Sequence, residues 1–359
     1  MLKKWFRRIH LVLALLSGLF LISLSVSGAL MLYAKDIQAF IHPQYWLVSE
    51  DHVLKNDDFL PLSVLVTKIE QASKEKIHTI ERAEHPTQSW QVKLADERYL
   101  NINPYNGKIL LIHNYYDTFY GFTMAWHRWL LFRDGENKTP LKVLMSITSL
   151  VLILEVLVGC YLWLKPKHRL KRLNVRWRAK GRVWLQQLHG TLGIILCIPL
   201  LLIAFSGMTF HWKIPTMRVV EWLTHGDVEQ HSYQEKVKPA STSYQLDKAY
   251  QQARLALTSG EVYRIYLPKA DDQPLALRMK MPIESHGNSW SWANPYTGES
   301  LAIFNASKAS LTTQVWNFRY KFHIGEFLGW PIKVLWLFIS LLPVFFVCSG
   351  VYLAIKRRK

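Results

Sequence analysis

Four apolar runs divide the chain, roughly Leu11–Tyr33, Leu141–Leu164, Leu188–Trp212 and Ile332–Ile355. Each holds about 22–25 residues, and at about 1.5 Å per residue each crosses the ~30 Å hydrocarbon layer of a bilayer. The first has the basic-then-apolar order of a signal peptide. It is too long for a typical cleaved segment and lacks an Ala-x-Ala exit, so it reads as a retained anchor. The stretches between the runs change period. Leu62–Lys74 and Tyr244–Leu257 carry apolar residues at helical spacing. Short β-type runs follow at Ile77–Ile80, Trp90–Leu94, Tyr99–Ile102 and Ile109–Ile112, and again at Val262–Leu267, Leu275–Met279, Ser289–Ala293 and Leu301–Phe304. The expected fold class is a membrane α-helical protein of four spans carrying two small α+β modules. Its segments are a helix over 1–33, a module over 34–140, a helix over 141–164, a basic loop over 165–187, a helix over 188–212, a module over 213–331 and a helix with a basic tail over 332–359.

Charge fixes the orientation this pattern implies. The 359 residues carry a formal net charge of +18, which invites a nucleic-acid reading. Yet Lys3, Lys4, Arg7 and Arg8, nine Lys/Arg between Lys165 and Arg182, and Lys356 to Lys359 account for 17 of the 44 basic residues, with no acid among them. The remaining 27 basic residues nearly balance the 26 acidic ones. Short basic flanks of apolar runs stay on the cytoplasmic side. Both ends of the chain and the 165–187 loop are therefore expected inside, and the two modules outside, which in a bacterium means the inner membrane and the periplasm. No nucleic-acid partner is expected; the lipid bilayer is. Cys160, Cys197 and Cys348 all fall in apolar runs and form no Cys-x-x-Cys motif, so they read as small buried hydrophobes.

The chain also repeats itself. His10 is followed 17 residues later by Ser27-Gly28, and His189 17 residues later by Ser206-Gly207. Asn103-Pro104-Tyr105-Asn106-Gly107 recurs as Asn294-Pro295-Tyr296-Thr297-Gly298. Trp126-His127 recurs as Phe322-His323, and Gly159-x-Tyr161-Leu162 as Gly350-x-Tyr352-Leu353. The order is the same in both halves, which reads as a duplicated helix–module–helix unit. Two copies in one orientation imply a pseudo-twofold axis along the membrane normal, across which equivalent residues face each other.

These residues resemble the PepSY-associated transmembrane-helix proteins, which include iron-regulated membrane proteins and inner-membrane ferric-siderophore reductases. The resemblance is carried by Arg7-Arg8-Ile9-His10, Asn103–Gly107 and its partner at Asn294, Trp126–Phe132, Leu188-His189-Gly190 and Phe322–Glu326. It implies four membrane helices, two periplasmic PepSY modules and, in the reductase branch, two b-type hemes. The Gly121–Pro140 connection, with Asp134-Gly135-Glu136, is longer than its counterpart in the second half.

Of the 14 histidines, His10, His127, His189, His211 and His323 lie on or beside the apolar runs. The rest, in polar segments, read as solvated or hydrogen-bonded. His10 and His189 occupy matching positions on the cytoplasmic side, His127 and His323 on the outer side. Alone, each reads as an interfacial residue among an aromatic belt. As facing pairs, they suit the two axial positions of a heme iron. The expected cofactor is thus heme b, in two copies, with His10/His189 and His127/His323 on the iron. Arg7, Arg8 and Arg128 are the expected propionate partners, with topology marking as their other reading. His211 lies 22 residues after His189, about 33 Å along a straight helix, and is the alternative outer ligand. Gly28 and Gly207 either allow close helix approach or leave room for a porphyrin. Glu155, an acid within a membrane run, is either a proton site or a capped structural acid.

The expected function is electron transfer to a periplasmic Fe(III) chelate, with the siderophore implied by the resemblance alone. The donor is a cytoplasmic reductant or the quinol pool, since no Gly-x-Gly-x-x-Gly follows a strand. The competing reading is a non-catalytic assembly or sensing protein binding periplasmic polypeptides, which leaves the matched histidines without a task.

Overall fold

The computed structural model describes residues 2–49, 58–134, 138–166, 170–239, 243–282, 284 and 286–358. In chain order its helices are α1 (Leu2–Met31), α2 (Ala34–Ile41), α3 (Pro43–Trp46), α4 (Leu62–Ser73), α5 (Phe119–Trp129), α6 (Lys142–Leu164), α7 (Gly181–Ile195), α8 (Cys197–Met208), α9 (Lys213–Thr224), α10 (Leu246–Leu255), α11 (Leu311–His323) and α12 (Trp330–Arg358). Its strands are β1 (Ile77–Glu81), β2 (Trp90–Leu94), β3 (Tyr99–Ile102), β4 (Ile109–His113), β5 (Glu261–Tyr266), β6 (Leu275–Lys280), β7 (Ser289–Ala293) and β8 (Ser300–Phe304). The chain forms two units. One comprises Met1–Ala34, Phe122–Val220 and Phe322–Lys359, the other Lys35–Gly121 and Glu221–Lys321.

The first unit is helical. Helices α1, α6 and α12 are long and apolar enough to cross a membrane, and no more than 28% of the apolar window of each is buried. Leu16 and Leu19, for example, are about three-quarters exposed. A helix apolar on its exposed side is matched to lipid rather than water. The third apolar run departs from the sequence expectation of one straight span over Leu188–Trp212. It is a pair of helices, α7 and α8, bent by 64°. The cause lies in Pro199, which has no N–H and whose ring crowds the carbonyl four residues earlier, that of Ile195. Helix α7 ends at that residue, and α8 starts at Cys197 and stops at Met208, short of Trp212. Counting the bent pair as one span gives four.

The second unit is an antiparallel sheet with helices on it. The eight strands are ordered β4-β3-β2-β1-β5-β6-β7-β8. The two separate modules expected from the sequence are therefore joined: β1 pairs with β5 through Thr79↔Tyr266, Ile80↔Ile265 and Glu81↔Arg264. Pairing satisfies two edges that would otherwise expose unbonded N–H and C=O groups. The core is shared as well. Leu65 and Ile69 of α4, Ala249 and Ala253 of α10, and Ile80, Val92, Leu100, Ile265, Leu275 and Leu277 form one buried cluster. The Asn-Pro-Tyr segments are turns of the same build. Asn103 and Asn294 each accept the N–H of the tyrosine two residues on at 2.9 Å, and Gly107 and Gly298 take φ of +75° and +76°. Only glycine adopts that backbone without strain.

An ion cluster ties the junction. Arg264 donates to Glu81 across the strand pair, Tyr263 Oη donates to it at 3.4 Å, and Lys35 Nζ lies 3.7 Å away. Burial raises the Glu81 pKa, but Lys35 and Arg264 outweigh it and hold the carboxyl below its ordinary range. A carboxylate depressed in the folded state adds stability above its unfolded pKa of about 4.3, lost as pH falls through the folded value. Glu81→Gln should therefore destabilise the sheet unit at pH 7 and weaken its loss of stability on acidification below about pH 4.3. Thermal unfolding of the full chain at pH 7 and pH 3.5, wild type against variant, checks both.

Candidate functional site

Helix α1 is unbroken, so His10 and Ser27 stand 17 residues apart on it, about 26 Å along the axis. Each marks a histidine pair within the helical unit. At one end the rings of His10 and His189 lie 6.4 Å apart between centroids, with planes at 88°. At the other end the rings of His127, from α5, and His323, from the end of α11, lie 6.2 Å apart at 51°. The four histidines paired from sequence are thus brought together as two pairs, with the expected partners.

Hydrogen bonds assign the free nitrogen of three of the four rings. Ser27 Oγ donates to the Ser23 carbonyl at 2.6 Å, within its own helix, and lies 3.1 Å from His127 Nδ1. A hydroxyl has one proton. With that proton committed to the carbonyl, the serine oxygen accepts, and His127 Nδ1–H donates. Ser206 repeats the arrangement. It donates to the Ile203 carbonyl at 3.0 Å and accepts from His323 Nδ1 at 3.0 Å, with the Ile203 carbonyl itself 3.2 Å from that nitrogen. Ser349 donates to the Phe346 carbonyl at 3.2 Å and accepts from His189 Nδ1 at 2.7 Å. Assigned from this network, three rings hold their proton on Nδ1 and present the Nε2 lone pair, the form in which imidazole binds a metal.

The glycines beside these serines are explained by the same contacts. A Cβ at Gly28 would stand 3.1 Å from His127 Cε1, and one at Gly207 would stand 3.2 Å from His323 Cε1. Gly28 and Gly207 therefore make room for an imidazole. The two readings weighed from the sequence, helix approach and space for a porphyrin, missed this contact. At the other end the fit is looser, with Gly159 3.6 Å from His10 Cε1 and Gly350 3.9 Å from His189 Cε1. Helix α5 is also pinned to α1 by Trp126, whose Nε1–H donates to Ser23 Oγ at 2.8 Å.

The remaining expected residues are placed differently. Arg7 and Arg8 are exposed on α1 and make no hydrogen bond or ion pair among the described residues. Arg128 lies over the Trp129 ring at 5.7 Å, and Arg133 and Lys142 lie over the same ring at 5.7 and 5.2 Å. His211 is exposed beyond the end of α8. The bend at Leu196 invalidates the straight-helix distance assigned to it, and its neighbour Phe210 packs on His323 instead, at 5.3 Å. Glu155 is buried on α6, and its Oε1 is 3.2 Å from Ser17 Oγ. Gly135 and Glu136 of the longer connection, His52, and the 167–169 part of the basic stretch lie outside the described residues. Sequence reasoning missed Ser349. The signal was present, since Ser349-Gly350 repeats the dipeptide at Ser27-Gly28 and Ser206-Gly207.

What the pairs can do follows from distance. A transition metal about 2.0–2.1 Å from an imidazole nitrogen, with the ring centre about 1 Å behind it, sets two opposed rings roughly 6 Å apart between centres. Both pairs meet that spacing. Among the described residues, no three or more His, Cys, Asp or Glu side chains gather as a metal cage. The arrangement suits an iron whose equatorial ligands come with its own macrocycle. A family model described as the PepSY-associated TM region matches residues 7–357. Among curated proteins none matches the chain.

Two methyl insertions separate close seating from ordinary packing. Gly28→Ala and Gly207→Ala force a ring to yield, whereas Gly159→Ala meets His10 at normal contact distance. Overpacking costs about 1–3 kcal/mol, and alanine gains up to about 1 kcal/mol over glycine in a helix. Gly159→Ala should be neutral or slightly stabilising, and the other two less stable than it by about 1–3 kcal/mol. Thermal unfolding in one detergent measures this order.

Proposed function

The chain belongs to the PepSY-associated TM family, and from that premise we propose that it is a di-heme electron conduit reducing Fe(III) chelates on the outer face of a bacterial inner membrane. The observation that carries the reading is the pair of opposed imidazoles at each end of α1, at the spacing of two axial ligands. His10 and His189 hold one heme b, His127 and His323 the other. When bound, heme would supply reversible one-electron transfer. The chain supplies the rest. Ser27, Ser206 and Ser349 keep Nε2 of their histidines unprotonated, and Gly28 and Gly207 set the ring positions of His127 and His323. The ~26 Å between the pairs along α1 approaches the ~30 Å hydrocarbon layer, so a cofactor at each end divides an otherwise prohibitive distance. Arg7 and Arg8 at one end and Arg128 at the other are the guanidinium groups available to propionates.

The matching seats at Ser27-Gly28 and Ser206-Gly207 also support reading the chain as a duplicated unit. The basic flanks support an orientation with both ends and the 165–187 loop in the cytoplasm and the sheet unit in the periplasm. The substrate is Fe(III) bound by a siderophore or a similar chelator. Hard oxygen donors hold Fe(II) less well than Fe(III), so reduction releases the metal. The electron comes from a cytoplasmic reductant or from quinol.

Purified protein from heme-replete cells should carry two hemes per chain and show a low-spin spectrum that sharpens with dithionite. The reduced protein should be reoxidised by a ferric hydroxamate or catecholate chelate, with Fe(II) trapped by a ferrous-specific dye. His10→Ala or His189→Ala should remove about half the heme, and His127→Ala or His323→Ala the other half. A folded, colourless preparation would leave the PepSY polypeptide-binding reading in its place.

A further inference from the structure

Three of the four paired histidines rest on the same seat, a serine whose own proton goes to its helix backbone and whose oxygen takes the Nδ1–H of the ring. His10 does not. Its Nδ1 is buried and forms no hydrogen bond. The polar group beside this ring is the Glu155 backbone rather than a serine oxygen. The sequence gives the reason. Gly159 stands beside His10 as Gly350 stands beside His189, but the residue before Gly159 is Val158, where Ser349 precedes Gly350. Valine offers no oxygen. The surroundings differ too: His189 packs against the edge of Phe346 at 5.1 Å, while Glu155 occupies the matching place near His10.

An imidazole that donates Nδ1–H to an acceptor is fixed in tautomer and rotation, and its Nε2 becomes the more basic donor. One whose Nδ1–H is unsatisfied lacks that anchor and binds metal less firmly. Building on the reading of the pairs as heme ligands, we infer that the four histidines are unequal: His10 is the labile axial ligand, and the His10/His189 site opens to an external ligand while the His127/His323 site stays closed. Val158 is the positioning residue responsible, by omission. Neither residue transfers an electron; each affects only how firmly a ring is held.

Carbon monoxide is the probe, since it binds ferrous heme only where an axial position is vacated. Dithionite-reduced wild-type protein should take up CO at no more than one of its two hemes. Val158→Ser should cut that uptake several-fold at unchanged heme content. Ser349→Ala should raise the rate of uptake at the same site, and Ser27→Ala should add uptake at the second. Low-spin electron paramagnetic resonance of the oxidised protein gives a second readout, in which Val158→Ser shifts one of two signals and leaves the other in place. Heme bound at two per chain with equal CO uptake in wild type and Val158→Ser would overturn this inference alone. Wild-type protein with no heme would overturn the conduit reading and this inference with it. Uptake at the His127/His323 site rather than the other would show the asymmetry to be reversed.

Discussion

The structure of the helical unit depends on one contact made three times: a serine oxygen on a membrane helix accepting the Nδ1–H of a histidine from another element. In hydrocarbon an unbonded polar group is costly, so a polar partner stabilises a histidine at membrane depth. A serine that has already given its proton to its own helix is a partner with no choice of role. It can only accept, which determines the tautomer of the ring opposite. At two of the three, the adjacent glycine also fixes distance, because a Cβ at Gly28 or Gly207 would crowd the imidazole. Two small residues in sequence thus specify the chemistry and the position of a third residue that lies far away in the chain.

Most of the fold was legible because its periods are simple. All eight strands appear within about a residue of where alternation and turn residues placed them, and both amphipathic helices of the sheet unit are found at α4 and α10. The Asn-Pro-Tyr turns could be read because their geometry is local: an asparagine caps the turn and a glycine accepts positive φ. What could not be read was anything decided by a distant partner. The pairing of β1 with β5 depends on which exposed edge meets which, and alternation is silent on that. The bend at Leu196 was missed for a different reason. Hydropathy averages over the run, whereas one proline cancels one backbone bond within it.

The candidate site divides in the same way. The histidine pairs followed from equal spacing in the two halves, and the rings do come together in those pairs. The arginines were chosen by charge and proximity in sequence, which says nothing of where a long side chain turns. Arg128 turns onto Trp129, and Arg7 and Arg8 stay exposed. His211 was placed by assuming a straight helix, and the bend removes the premise. Ser349 stands one residue ahead of the Gly350-x-Tyr352-Leu353 motif, in a helix whose counterpart in the first half has Val158 there.

The joined sheet has a consequence for how the chain matures. Ile80 and its strand partner Ile265 are separated by about 185 residues, including two membrane runs. At about 5–20 residues per second, a ribosome needs roughly 10–40 s to deliver the second strand after the first. For that interval β1 is held by β2 on one side only, and its other edge carries unpaired N–H and C=O groups of the kind that seed aggregation. The sheet of this protein is therefore completed only after the two intervening apolar runs have been made.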